Sequence, residues 1–112
     1  MRTSFRTVNG VTILMLRGKI TIDHRSQELR ESVRKLLSSG TRSILLDLGR
    51  VNYVDSTGVE AIIASFTSAA KVQGSLKLLN LTPKVHHLLS ITRLLSVLEV
   101  FDDEREALES FS

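Results

Sequence analysis

Segments with helical periodicity alternate along this chain with short apolar runs typical of β-strands, and this alternation restricts the fold more than any other feature. A first helix is predicted over about residues 25–39, because apolar residues recur on one helical stripe before Gly40. A second helix is predicted over about residues 59–70, ahead of Gly74. The residues of the two stripes are Leu29, Val33, Leu36, Leu37 and Val59, Ile62, Ile63, Phe66, Ala70.

The strand-like runs begin with a hairpin. Phe5–Val8 and Val11–Leu16 flank Asn9-Gly10, a dipeptide that tolerates the positive φ angles of a two-residue type I′ turn. Further along, Ser43–Leu48 is a short and nearly continuous apolar run between turn residues. Such a run is typical of a strand in the middle of a sheet.

Weaker patterns complete the order of elements. Leu76–Leu79 and Val97–Phe101 predict two more strands, and Pro83 suits the first turn of a helix that runs to about Ile91. A short acidic helix is expected at the end. The alternation predicts one α/β domain over residues 1–112, a sandwich on a mixed four- to five-stranded sheet with parallel crossovers, an N-terminal hairpin at its edge and about four helices.

Composition excludes several kinds of site. The chain has no cysteine, so disulfides, thiolate metal sites and cysteine nucleophiles are excluded. Its 112 residues, 42% of them hydrophobic and 24% charged, suffice for an ordinary globular core. No apolar run approaches the roughly 18 residues of a membrane helix, and residues 1–11 lack the apolar stretch of a secretion signal. We therefore expect a cytoplasmic protein that does not bind membranes.

Charge is distributed unevenly along the chain. Residues 1–98 hold 14 basic and 6 acidic side chains, a net +8, whereas residues 99–112 hold 1 and 6, a net −5. The basic residues are scattered singly and only five aromatics are present, so direct binding of nucleic acid is not expected. Asp102, Asp103 and Glu104 stand where the first turn of the final helix should begin, and carboxylates there complement the helix dipole.

Residues 54–60 join a strand to a helix and are the most informative about function. Thr57 and Glu60 match a capping box, in which the threonine side chain accepts from the amide three residues on and the glutamate reaches back. With Thr57 as the N-cap, Ser56 is predicted one residue outside the helix, with an accessible hydroxyl. The residue types alone leave a second interpretation open, in which this stretch only starts a helix.

The sequence Val54-Asp55-Ser56-Thr57-Gly58-Val59 resembles the D-[ST]-[ST]-G-[LV] signature of the STAS domain family, which includes the bacterial anti-sigma factor antagonists. Three further segments resemble the family at matching spacing: Leu16-Arg17-Gly18 its L-x-G at the end of the second strand, Ser43–Leu48 its central strand, and Gly74–Leu78 its glycine and strand after the second helix. The resemblance extends over nearly the whole chain and implies a STAS-like sandwich.

The resemblance implies a regulatory protein that works by partner switching, and not an enzyme. In this family the first hydroxyl residue after the aspartate is the phosphoacceptor, which corresponds to Ser56. The unmodified antagonist binds an anti-sigma serine kinase and thereby frees a sigma factor. Phosphorylation by the same kinase ends the complex, and a phosphatase restores it.

An alternative within the same family is a STAS scaffold or ligand-sensing module of a larger signalling assembly, without obligatory phosphorylation. Neither function calls for a cofactor, and none is expected. The edge of the hairpin is compatible with a monomer and with a homodimer.

Five residues are expected beside the phosphoacceptor, in contact with the partner: Asp55, Thr57, Gly58, Asp23 and Glu60. Two positions depart from the family pattern. The family has G-x-[IL]-D, whereas Gly18-Lys19-Ile20 is followed by Thr21. Either the loop is two residues longer and reaches Asp23, or Thr21 replaces the acid. Glu60 stands where a small residue is frequent and adds negative charge close to Ser56.

Catalytic and metal sites are weakly supported by the sequence. His86 and His87 point about 100° apart on a helix, and no third ligand is in register with them. The Asp-Ser-Thr-Gly stretch has one residue more than the Asp-Thr-Gly of aspartic proteases and precedes a helix. The paired catalytic carboxylates of those proteases are therefore not expected here. Ser56 lacks a histidine base, because nothing places His24 or the two other histidines in that role, and no glycine-rich phosphate loop is present.

Overall fold

The turn at Asn9 and Gly10 starts the sheet. In the computed structural model, which describes residues 3–23 and 25–111, the two turn residues have φ angles of 52° and 81°, both positive as a type I′ turn requires. They join strand β1 (Ser4–Val8) to strand β2 (Val11–Ile20), which pair antiparallel. The predicted hairpin is confirmed.

Three parallel strands follow on the other side of β2. β3 (Ser43–Val54) pairs with β2, β4 (Ser75–Leu79) with β3, and β5 (Val100–Phe101) with β4, so the spatial order of the strands is their chain order. β3 is central, as predicted. The last strand is shorter than the predicted Val97–Phe101, because the preceding residues Leu94–Ser96 form a 3₁₀ turn that the amides of the next two residues close.

Helices cover one face of this sheet. Helices α1 (Ser26–Ser38), α2 (Ser56–Lys71) and α3 (Pro83–Ile91) pack on the side chains of that face. Large, fully buried members of the resulting core are Leu14, Leu16, Ile20, Leu29, Ile44, Leu46, Leu48, Ile62 and Leu78. The predicted sandwich of a mixed sheet and helices is confirmed. No helix in residues 3–23 and 25–111 is both long enough and apolar enough to cross a membrane.

Helix α4 (Glu104–Glu109) lies on the opposite face and covers only part of it. Asp103 is its N-cap and accepts from the Glu106 amide at 3.1 Å, so the acidic run does begin the last helix, as predicted. Ala107 packs in a second, smaller core. The sheet residues of that core are Val11, Ile13, Leu45 and Leu79.

Two cations help to hold the α4 region on the sheet. Lys77 of β4 is only 9% exposed, and its Nζ donates to the carbonyl and the hydroxyl of Ser110 at 2.9 and 3.0 Å. The same Nζ lies 4.7 Å from the centre of the Phe111 ring, within the range of a cation–π contact. Arg6 of β1 donates to Glu104, and this hydrogen bond and the charge of Glu104 raise the pKa of Arg6.

β2 and β3 continue beyond the rest of the sheet. β1 pairs only as far as Met15 of β2, and β4 only as far as Asp47 of β3, whereas the β2–β3 pairing continues to Ile20 and Val54. This two-stranded extension, residues 17–20 and 50–54, is called the ribbon below. It explains why β3 is longer than predicted: polar residues interrupt the apolar run, but Arg50 and Tyr53 still pair with β2, with two shifts of register along the way.

Candidate functional site

Ser56 is the first residue of α2, and only Asp55 separates it from the end of the ribbon. Asp55 is the N-cap, and its Oδ1 accepts from the Gly58 amide at 2.8 Å. The prediction that Thr57 caps this helix is therefore wrong, and Ser56 lies inside the first turn and not one residue outside it. A carboxylate is a stronger acceptor than a hydroxyl and its charge complements the helix dipole, so the helix begins after the aspartate.

The side chain of Ser56 is available to a partner. Ser56 is exposed, and its hydroxyl has no hydrogen-bond partner within residues 3–23 and 25–111. Thr57 is half-buried and Gly58 is buried. Of the two consecutive hydroxyl residues, Ser56 is thus the more accessible.

Asp55 also connects the start of α2 to the loop after β2. Its Oδ2 accepts from the Ile22 amide at 3.2 Å, and its own amide donates to the Ile20 carbonyl at 3.3 Å. In this loop Thr21 is buried and Asp23 is exposed. Of the two positions where the sequence left the loop acid open, Asp23 is therefore the one that a partner can reach.

The glycine of the signature is required by close packing. A Cβ on Gly58 would lie 2.0 Å from the Ile20 carbonyl oxygen and 2.7 Å from Cγ1 of Val54. Its φ angle is not in the left-handed region, so the requirement is one of space alone. Only glycine lets the first turn of α2 sit against the end of β2, and this contact holds Ser56 beside the loop.

The surface around Ser56 combines apolar and acidic groups. Ile22 is 72% and Ile63 37% exposed, so both side chains offer apolar surface to a partner. Glu60 is exposed one turn after Ser56 on the same face of α2, and Ile63 follows at the next turn. These residues, Ile22, Ser56, Glu60 and Ile63, are called the Ser56 surface below.

The cap assignment can be tested by a matched pair of substitutions. Asp55→Ala should lower the free energy of unfolding by about 1–2 kcal/mol, because the Gly58 amide loses its acceptor. Thr57→Ala should change it by less than about 0.5 kcal/mol, because the threonine side chain makes no hydrogen bond in the described ranges. Urea unfolding measures both, and a larger cost for Thr57→Ala than for Asp55→Ala would restore the capping box.

Potential metal ligands lie apart from one another in the described ranges. Within residues 3–23 and 25–111, no three histidine or acidic side chains are close enough to hold a metal ion. His86 and His87 are both exposed on α3. His24, considered above as a base, lies outside the described residues.

Comparison with known proteins identifies relatives along almost the full chain. The STAS domain family model matches residues 2–107. The anti-sigma-B factor antagonist of Bacillus subtilis is 32% identical over 83 residues, which is 74% of this chain and 74% of that protein. The TM1081 homolog of Thermotoga neapolitana is 30% identical over 105 residues, 94% of this chain and 93% of the relative. The crystal structure of tm1081 from Thermotoga maritima superposes with a TM-score of 0.90 at 26% identity, covering 97% and 93% of the two chains.

Proposed function

This chain belongs to the STAS domain family, and we propose that it is an anti-sigma factor antagonist that switches partners at Ser56. The unphosphorylated Ser56 surface binds an anti-sigma serine kinase, which then releases its sigma factor. Phosphorylation of Ser56 by that kinase ends the complex, and a phosphatase renews it. The observation that carries this proposal is the exposed hydroxyl of Ser56 at the start of α2, which makes no hydrogen bond to residues 3–23 or 25–111.

The energetics of a phosphate at Ser56 support a switch without a change of fold. A phosphoserine carries about −1.5 to −2 charges, and the positive end of α2 tolerates that charge in the free protein. In a complex the same group would be buried against a surface fitted to a small neutral hydroxyl, which is costly. A loss of about 3–4 kcal/mol of binding free energy lowers the affinity by two to three decades.

The residues beside Ser56 divide into two roles in this proposal. Asp55 and Gly58 position the hydroxyl, since one caps α2 and the other permits its contact with β2. Asp23 and Glu60 are exposed and contact basic groups of the partner. Phosphorylation would add further negative charge to this acidic surface. Thr57, which is half-buried, is proposed only as the neighbour of the phosphoacceptor.

The names of the relatives support the class of partner. The Bacillus subtilis relative is named for antagonism of an anti-sigma factor, so we propose an anti-sigma factor as the partner here, and a regulatory role in place of an enzymatic one. Because such partners act on transcription, we also propose that the protein works in the cytoplasm.

A phosphorylation assay tests the proposal directly. The protein is incubated with candidate anti-sigma serine kinases and ATP, and the added phosphate is located by mass spectrometry. We expect one phosphate, on Ser56, in the wild type and none in Ser56→Ala, which keeps Thr57 as an internal control. Absence of modification at Ser56 with every cognate kinase would favour the scaffold or ligand-sensing module instead.

A further inference from the structure

The sheet face that α4 leaves open is basic at the ribbon. Arg17 lies opposite Arg50 in the β2–β3 register, and Lys19 lies opposite Tyr53. Their chain neighbours Leu16, Ile20, Val51 and Val54 belong to the core under the helices. Adjacent side chains of a strand point to opposite faces, so the three cations lie on the face of α4. The β2–β3 register shifts twice near these residues, but Arg50 still lines a cavity with Met15 and Asp102 on that face.

In the part of the chain that the structure describes, no acidic side chain neutralises these cations. Arg17, Lys19 and Arg50 are exposed, and none has an ion-pair partner in residues 3–23 and 25–111. Like charges opposite each other on neighbouring strands are destabilising. Tyr53, 49% exposed, and the half-buried Met15 lie beside them, and arginine, tyrosine and methionine are enriched in protein interfaces.

The other end of the same face is acidic. Asp102, just before α4, and Glu106, within it, are exposed, and neither carboxylate has an ion-pair partner in the described part of the chain. An open cavity of about 610 Å³ lies between the two ends, and Met15, Arg50 and Asp102 are among the residues that line it. The face therefore has a raised acidic end, formed by α4, and a recessed basic end, formed by the ribbon.

We propose that two copies of this chain associate through this face about a two-fold axis, with α4 of each copy seated on the ribbon of the other. In a two-fold interface, the contact between a patch of one copy and a patch of the other occurs twice. Here each of the two contacts places the acidic α4 of one copy on the basic ribbon of the other. α4 has six residues, a length of about 9 Å and a diameter of about 10 Å. The four-residue β2 segment of the ribbon is about 13 Å long, so the recess accommodates the helix.

A dimer of this kind needs a modest share of the surface of the chain. A stable interface buries about 800 Å² on each partner, which is about one eighth of the 6326 Å² accessible surface of the chain. Ser56 begins α2, which packs on the helix side of the sheet, whereas the proposed contacts lie on the opposite face. The association therefore does not depend on the role proposed for Ser56.

Charge exchange between the two ends tests the dimer. In sedimentation velocity at low salt and about 100 μM, the wild-type chain should have a mass of about 25 kDa, twice the 12.5 kDa of one chain. Because ion pairs are screened, the mass should fall toward that of the monomer above about 0.5 M NaCl. Arg17→Glu with Arg50→Glu should give a monomer, and so should Asp102→Lys with Glu106→Lys.

An equimolar mixture of the two double variants is the decisive sample, because both contacts of the mixed pair are again attractive. It should restore the mass of two chains, and the circular dichroism of each variant shows that it is folded. A wild type that is monomeric at every concentration, a mass that grows beyond two chains, a variant that dimerises alone, or a mixture that stays monomeric would each overturn the proposal. Phosphorylation of Ser56 in the same variants reports the proposed function separately.

Discussion

Replacing Ser56 by aspartate is expected to weaken binding to the proposed partner, an anti-sigma kinase, by at least about tenfold while leaving the melting temperature nearly unchanged. The hydroxyl of Ser56 makes no internal hydrogen bond in the described ranges, so its loss removes nothing from the fold. A carboxylate at the first helical position is also favourable with the helix dipole. In the complex, the same charge would be desolvated without a partner, which is unfavourable. Isothermal titration calorimetry with the kinase measures the affinity.

Two further variants separate this effect from a general effect of charge. Ser56→Ala should bind the kinase with or without ATP, because it cannot be phosphorylated. Ser90→Asp adds the same charge at an exposed position of α3 and should leave the affinity unchanged. If Ser56→Asp instead lowers the melting temperature by more than about 5 °C, corresponding to roughly 1 kcal/mol, Ser56 has a structural role and the switching proposal fails.

Gly58→Ala is expected to be the most destabilising single substitution near the site, at about 3 kcal/mol. Within a helix, alanine is normally more stable than glycine by about 1 kcal/mol, so the sign expected here is reversed. The reason is the 2.0 Å approach of the new Cβ to the Ile20 carbonyl oxygen, which forces α2 away from β2. For a chain of this size the melting temperature should fall by about 10 °C or more. Thermal unfolding followed by circular dichroism measures the shift.

Gly10→Ala is a control for glycine replacement itself. Its Cβ would meet no atom within 4 Å, but its φ angle is 81°, so only conformational strain of about 1–2 kcal/mol is expected. A Gly58→Ala protein as stable as the wild type would show that the start of α2 can move freely. The close contact would then not be what positions Ser56.

Much of the fold could be predicted because its signals are local. Asn9-Gly10 determines its own turn, and the apolar stripes of α1 and α2 repeat within a few residues. Pro83 lies at the start of α3, where its missing amide costs nothing. The last strand was predicted too long, because Val97 and Leu98 are apolar like strand residues. In the structure their amides close a turn on the Leu94 carbonyl.

The start of α2 shows where local signals become ambiguous. An aspartate three residues before Gly58 and a threonine three residues before Glu60 are both acceptable caps. The choice depends on where β3 ends, and that is set by its pairing with β2 up to Ile20. The sequence therefore singled out the stretch that starts α2, while the place of each residue within the first turn came from the structure.

By itself, the sequence determined the order of the elements, the hairpin and the segment that contains Ser56, since each depends on residues that are near one another in the chain. Only the tertiary structure decided why position 58 must be glycine, because the atoms that exclude a side chain there belong mainly to Ile20, 38 residues earlier. The basic charge of the ribbon was likewise decided only by the tertiary structure. Arg17 and Arg50 are single scattered charges in the sequence, and parallel pairing of β2 with β3 places them side by side.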